Sequence, residues 1–187
     1  MDEKKIREEL LRLVKEKAFQ KGEYVLSSGK KSNYYFDGKQ VTLDPHGILL
    51  VAKTVLAMLQ GIQVEAVGGP TLGADPIAAA VALLSTQTGK PLKAFIVRKE
   101  EKKHGTQKRI EGPLLQPGER VAVVEDVVTS GKSVMEAIHE IEKLKCRVVK
   151  VICLVDREEG AAKLLEPYQY SPIFTKTELE VSANLTS

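Results

Sequence analysis

The sequence predicts an α/β fold: a central, mainly parallel five-stranded sheet flanked by helices. Three observations predict it. Residues 121–128 form an apolar run broken only by Glu125 and Asp126. The run passes through Thr129, Ser130 and Gly131 into a helical pattern, with Val134, Ala137, Ile138, Ile141 and Leu144 at three- and four-residue spacing. Residues 66–84 repeat that order, with a short strand, a glycine-containing turn over 68–75 and an apolar helix behind it. Two further strand-like runs, 94–97 and 148–155, both lead into charged residues. Strands alternating with helices build a largely parallel sheet covered on both faces, and ligands bind at the carboxyl ends of its strands.

The remaining elements follow in order. Residues 3–19 place Ile6, Leu10, Leu13, Val14 and Phe19 among lysines, arginines and glutamates, an amphipathic helix that ends at Lys21 and Gly22. Residues 23–37 read as two short strands around a turn at Gly29 and Lys30. There Tyr34, Tyr35 and Phe36 stand in a row in a chain with only nine aromatics. Periodicity alone makes them core; a flat surface for a planar ligand is the alternative. A helix over 45–60 starts at Asp44 and Pro45 and stops before Gly61. Residues 98–109 are polar throughout and carry no apolar stripe, so they read as a mobile loop. Its Arg98, Lys99, Lys102, Lys103 and His104 make it either a solvated charged loop or a lid over a phosphorylated substrate. A turn-rich connection spans 112–118, a helix 131–145, and a short strand with a helical turn begins at Pro172.

Composition narrows the function. Length 187 suits one domain with a substantial core. The net charge of +3 comes from 28 basic and 25 acidic residues, without the concentrated basic face that nucleic-acid binding needs. The longest apolar run, 76–84, is far short of the roughly 20 residues that span a bilayer. The charged opening does not read as a secretory signal, and Cys146 and Cys153 read as small core residues, so a cytoplasmic protein is expected.

Residues 121–133 carry the chemistry. A helix start offers unpaired N–H groups and a positive dipole end, which suits a phosphate. Two carboxylates beside such a place call for a ligand with both a phosphate and hydroxyls, or a bound metal. Gly131, Lys132 and Ser133 mimic the end of a Walker A loop, but that pattern needs glycine where Asp126 stands. The dinucleotide fingerprint, the zinc-protease helix motif and the esterase nucleophile elbow are absent.

Paired acids ahead of a hydroxylated glycine turn closely resemble the phosphoribosyl-diphosphate signature of type I phosphoribosyltransferases, and residues 25–160 are most similar to the orotate members. The resemblance implies that family's fold as one domain over 1–187, with a hood from about 1–40 and the chain end over a core of about 45–165. It implies that Glu125 and Asp126 hold the ribose hydroxyls, and that Val127, Val128, Thr129, Ser130, Gly131, Lys132 and Ser133 bind the 5-phosphate. Thr71, Leu72 and Gly73 would meet the diphosphate. So would Arg98, Lys99, Lys102 and His104, in the family's R-K-x-x-K-x-H-G pattern, with Lys102 assisting departure. Thr129 and Arg157 would contact orotate, with Tyr35 and Phe36 flanking the pyrimidine. The implied reaction joins orotate N1 to C1 of phosphoribosyl diphosphate, giving orotidine 5′-monophosphate and diphosphate in pyrimidine (UMP) biosynthesis. Mg²⁺ held through substrate oxygens is implied, as is a homodimer whose 98–109 loop serves the neighbouring subunit. Two positions depart from the pattern: Ser27 stands where some members carry a ligand-reaching lysine, and Lys132 replaces a small residue, adding charge to the phosphate or pointing to solvent. The alternatives are a purine-base phosphoribosyltransferase and a phosphoribosyl-diphosphate-sensing regulatory protein.

Overall fold

The computed structural model describes residues 2–25, 31–100 and 109–181. Helix α1 (Glu3–Leu13) is capped by the Asp2 side chain and runs into a π-helical turn (Val14–Ala18). The chain turns extended at Phe19, earlier than sequence periodicity suggests. Phe19 pairs with Phe36, so strand β1 (Phe19–Val25) forms an antiparallel hairpin with β2 (Lys31–Phe36), with an irregular register between Lys21 and Tyr24. A four-residue helix, α2 (Lys39–Thr42), leads to α3 (Pro45–Met58). Asp44 caps α3 by accepting from the N–H groups of His46 and Gly47 at 3.0 and 2.8 Å; a cap of this kind contributes about 1 kcal/mol.

The main sheet then forms from β3 (Ala66–Pro70), β4 (Lys93–Val97), β5 (Ile110–Glu111), β6 (Arg120–Val128), β7 (Arg147–Asp156) and β8 (Tyr170–Thr175). Helix α4 (Ala74–Ser85) follows β3, α5 (Lys132–Lys143) follows β6, α6 (Ala161–Leu165) follows β7, and α7 (Lys176–Val181) follows β8. The strand order is β5-β4-β3-β6-β7-β8, parallel except for β5. The sheet therefore has six strands, not five. The extra one is two residues long, too short for any periodic signal, and forms because residues 110 and 111 fold back on Val97 and Ile96.

Both faces of the sheet are buried, which is why the strand sequences read as nearly continuous apolar runs. Along β6, Ala122 and Val124 join the cluster made with α1, α3 and α4, while Val121 and Val123 join the one made with α5 and α6. Leu50, Val51 and Val55 of α3 and Ile138 and Ile141 of α5 are at most 1% exposed, each contributing about 1.5–3 kcal/mol by leaving water. Cys146 and Cys153 are free, buried thiols, as their sequence context suggests. Among the described residues, no helix is long and apolar enough to cross a membrane.

Candidate active site

Sequence order and strand order part company at the centre of the sheet. From β3 the chain adds β4 on one side and then returns to add β6 on the other. That reversal leaves a crevice at the carboxyl ends of β3 and β6, the place where open α/β sheets bind ligands. Thr71, Leu72 and Gly73 leave β3 there, Glu125 to Val128 end β6 beside them, and Thr129 to Gly131 leave it. The neighbouring strands add Arg98 and Lys99 after β4 and Arg157 after β7. Segments far apart in sequence thus converge on one edge of the sheet.

The turn after β6 combines a left-handed glycine with an uncapped helix start. Gly131 has φ +79°, in the left-handed region that favours glycine, and it begins α5 without a side-chain cap. The first N–H groups of α5 are thereby left for a ligand. A cleft of about 100 Å³ lies against them, lined by Glu125, Thr129, Ser130, Lys132 and Ser133 among others. Ser130, Lys132 and Ser133 are exposed and Thr129 is half-buried.

The acids stand behind this turn. Glu125 is 8% exposed and Asp126 5%. Glu125 Oε1 accepts from the Asp126 N–H at 3.0 Å, and Asp126 Oδ1 accepts from the Val127 N–H at 2.8 Å. Burial, and then the adjacent Asp126 charge, hold the Glu125 carboxyl well above the usual carboxylate range, with Lys39 pulling the other way. Both carboxylates reach across to the turn after β3. A Cβ on Gly73 would lie 2.0 Å from Glu125 Oε1 and 2.2 Å from Asp126 Oδ1, so any side chain there would displace the acids. The Thr71–Leu72 peptide is cis, and the Thr71 hydroxyl donates to Asp75 at 2.8 Å.

Around Arg157 the aromatic row separates by register. Side chains alternate along a strand, and Phe36 is buried at 8% while Tyr35 is 44% exposed and meets Tyr24. The residue that faces Arg157 is Tyr34. Its hydroxyl accepts from the guanidinium at 3.3 and 3.4 Å, and the guanidinium also lies 5.3 Å from its ring centre. Glu159 pairs with Arg157 at 3.2 Å. Sequence reasoning missed Tyr34 and also Lys39, whose ammonium donates to Asp126 at 3.0 Å. The YYF row was the only signal for the first; the second has none.

The polar segment after β4 is held at both ends. The Arg98 N–H donates to the Arg109 carbonyl at 2.8 Å, and the Arg109 guanidinium donates to the carbonyls of Arg98 and Lys99. Lys102 and His104, and with them the loop itself, lie outside the described residues, as does Ser27.

A phosphoribosyl transferase domain model matches residues 56–175, the span from α3 through β8. The chain is 44% identical over 177 residues to orotate phosphoribosyltransferase of Nostoc sp. (94% of this chain, 85% of that one). It is 47% identical over 163 residues to the Aquifex aeolicus orotate phosphoribosyltransferase (86% and 88%). Among solved structures, the Mycobacterium tuberculosis orotate phosphoribosyltransferase in complex with 5-phospho-α-D-ribosyl 1-diphosphate aligns with TM-score 0.78 and 34% identity, covering 94% of this chain and 99% of that one. With the sheet-centre crevice, the paired acids and the glycine turn after β6 all within the matched span, the chain belongs to the orotate phosphoribosyltransferase family.

Proposed function

We propose that the crevice between β3 and β6 carries the family's transfer of a phosphoribosyl group from phosphoribosyl diphosphate to orotate, with the following division of labour. Glu125 and Asp126 accept from the ribose hydroxyls. The N–H groups and hydroxyls from Val127 through Ser133 hold the 5-phosphate, Lys132 included. Thr71, Leu72 and Gly73 present backbone to the diphosphate. Arg98, Lys99, Lys102 and His104 neutralise it, Lys102 assisting its departure. Thr129 and Arg157 contact orotate. Arg157 suits this because a guanidinium pairs with a planar carboxylate through two parallel hydrogen bonds. Tyr35 and Phe36 flank the pyrimidine, and Tyr34 holds the Arg157 side chain against it.

In the reaction the C1–oxygen bond to diphosphate breaks, its electron pair leaving on the diphosphate, and orotate N1 bonds to C1. Positive charge grows on the ribose as the bond breaks, and buried carboxylates fixed beside the ring stabilise it without reorganisation. The remaining contribution is alignment of the two substrates. Mg²⁺ would be carried into the crevice on substrate oxygens, beside the Glu125 and Asp126 carboxylates, and would supply charge neutralisation; Mg²⁺ commonly binds through phosphates with few protein ligands. The active form is proposed to be a cytoplasmic homodimer whose 98–109 loop serves the neighbouring subunit, with residues 1–40 as a hood over the pyrimidine side.

The observation that carries the reading is the contact of both buried acids with Gly73, which joins the ribose-side and diphosphate-side turns into one site. The test is loss of orotate absorbance with phosphoribosyl diphosphate and Mg²⁺, run beside adenine, hypoxanthine and uracil. Consumption of orotate alone is expected. Activity on a purine base without orotate turnover overturns the reading.

A further inference from the structure

The turn that connects the hairpin to the core, Asp37-Gly38-Lys39, is seated on Asp126. Ala122 and Val124 of β6 face the cluster made with α1, α3 and α4, and the turn closes over Asp126 just beyond them. A Cβ on Gly38 would lie 2.9 Å from the Asp126 Cβ, so the backbone approaches as closely as a glycine allows. Lys39 then reaches back. Its side chain is 40% exposed, yet its ammonium donates at 3.0 Å to the Oδ2 of a side chain that is 7% exposed. Asp37 holds the turn by accepting from the Lys39 N–H at 3.2 Å and from the Gln40 amide.

A buried carboxylate without a cation would lose its charge or its place. Among the described residues, Lys39 is the cation that pairs with Asp126, and its charge also acts on Glu125. Burial works to lower its own pKa, but the Asp126 hydrogen bond and the charges of Asp126, Asp37 and Glu125 outweigh it and hold the ammonium above its ordinary range. The geometry still leaves room for substrate. Asp126 Oδ1 takes the Val127 N–H, Oδ2 takes Lys39, and the Glu125 carboxyl hydrogen-bonds to the same side chain. A carboxylate has about four acceptor directions, so one remains for a ribose hydroxyl.

We infer that Lys39 is a positioning residue for the phosphoribosyl-diphosphate site, fixing Asp126 in the orientation that receives the ribose hydroxyls. This rests on the reading of Glu125 and Asp126 as the ribose holders. It also means that the segment carrying Tyr34 and Arg157's aromatic contact is anchored to the ribose acid by a charged bond.

The test is steady-state kinetics of the full chain with Mg²⁺, varying each substrate in turn, for Lys39→Gln, Lys39→Arg, Asp126→Asn and the Lys39→Gln/Asp126→Asn pair. Losing a charge-assisted bond at a site used by one substrate predicts that Lys39→Gln raises KM for phosphoribosyl diphosphate by about tenfold and shifts KM for orotate by less than about twofold. Lys39→Arg recovers to within about threefold, and Lys39→Gln adds less than about twofold once Asp126 is already Asn. An unchanged KM for phosphoribosyl diphosphate in Lys39→Gln, alongside a raised one in Asp126→Asn, overturns the role of Lys39 alone. Equal rises for both substrates without rescue by arginine mean a merely structural lysine and overturn it too. An Asp126→Asn enzyme with unchanged KM overturns the acid-pair reading itself.

Discussion

Strands β3 and β6 lie side by side, run the same way, and each ends in a glycine turn and a helix, yet the two glycines answer to different constraints. Gly131 after β6 is required by its own backbone, with φ +79°. A Cβ there would meet only side-chain carbons of Ala161, Leu165 and Leu164 at 3.3–3.4 Å. Gly73 after β3 has an ordinary φ of −64° and is required by what lies opposite, the two carboxylates at 2.0 and 2.2 Å. One turn takes its glycine for its own backbone shape. The other is kept bare so that acids from its neighbour can reach it. The first constraint is local and the second is made by the sheet.

The largest expected effect comes from what the turn after β3 does not supply. Thr71, Leu72 and Gly73 carry no cation, so the charge of the departing diphosphate is proposed to fall to the 98–105 segment. Lys102→Ala is expected to lower kcat by about 10²–10³-fold while KM for orotate moves less than about threefold. Unchanged turnover would remove Lys102 from the reaction. Next is the direct contrast between the glycines. Gly73→Ala forces the acid pair to move, and misplacement of that size costs about a hundredfold in kcat/KM for phosphoribosyl diphosphate. Gly131→Ala instead strains the backbone by about 1–2 kcal/mol, expected as a Tm fall of about 2–8 °C with a smaller kinetic loss. If Gly131→Ala were the more damaging to kcat/KM, the contrast would be wrong.

A third test separates stability from function within the acid pair. Burial raises the folded-state pKa of Glu125 above its ordinary value of 4.5, so the native protein favours the protonated carboxyl. The stability this contributes is present below pH 4.5 and is lost as pH rises through that value toward the folded one. Above that window the buried charge is a burden, and Glu125→Gln should raise Tm at neutral pH by a few degrees, about 2–4 °C per kcal/mol, while weakening phosphoribosyl diphosphate. The gain should vanish on acidification. A lower Tm for Glu125→Gln at neutral pH would contradict the direction of the shift. The smallest effect is assigned to Lys132, exposed in the first turn of α5. A solvated charge near a phosphate contributes little, so Lys132→Ala should raise KM for phosphoribosyl diphosphate by no more than about threefold. A tenfold rise would make Lys132 a principal phosphate ligand.

Legibility in the sequence followed the range of the interaction. Residues 121–133 announced strand, acids, turn and helix because each is encoded within a few positions: an apolar run, paired carboxylates, Ser130-Gly131, and 3.6-residue periodicity. The hairpin was legible as a hairpin, but not which aromatic meets Arg157. Successive strand residues face opposite ways, so Tyr34 and Tyr35 exchange roles with a one-residue slip, and periodicity cannot choose between them. The same limit moved the start of β1 to Phe19, where pairing with Phe36 overrides a helical pattern that runs on. Ile110–Glu111 left no trace because two residues have no period.

By itself the sequence determined that the chain is α/β and where its strand-to-helix turns lie, one of them following two acids. Each of these depends on short-range backbone preference and side-chain periodicity. Only the tertiary structure decided that β3 and β6 are neighbours, that Gly73 must be bare, that Tyr34 faces Arg157 across 123 positions, and that Lys39 secures Asp126 across 87. Those contacts exist because sheet order and register carry distant segments to one edge, and no pattern within a single segment records which segments will meet.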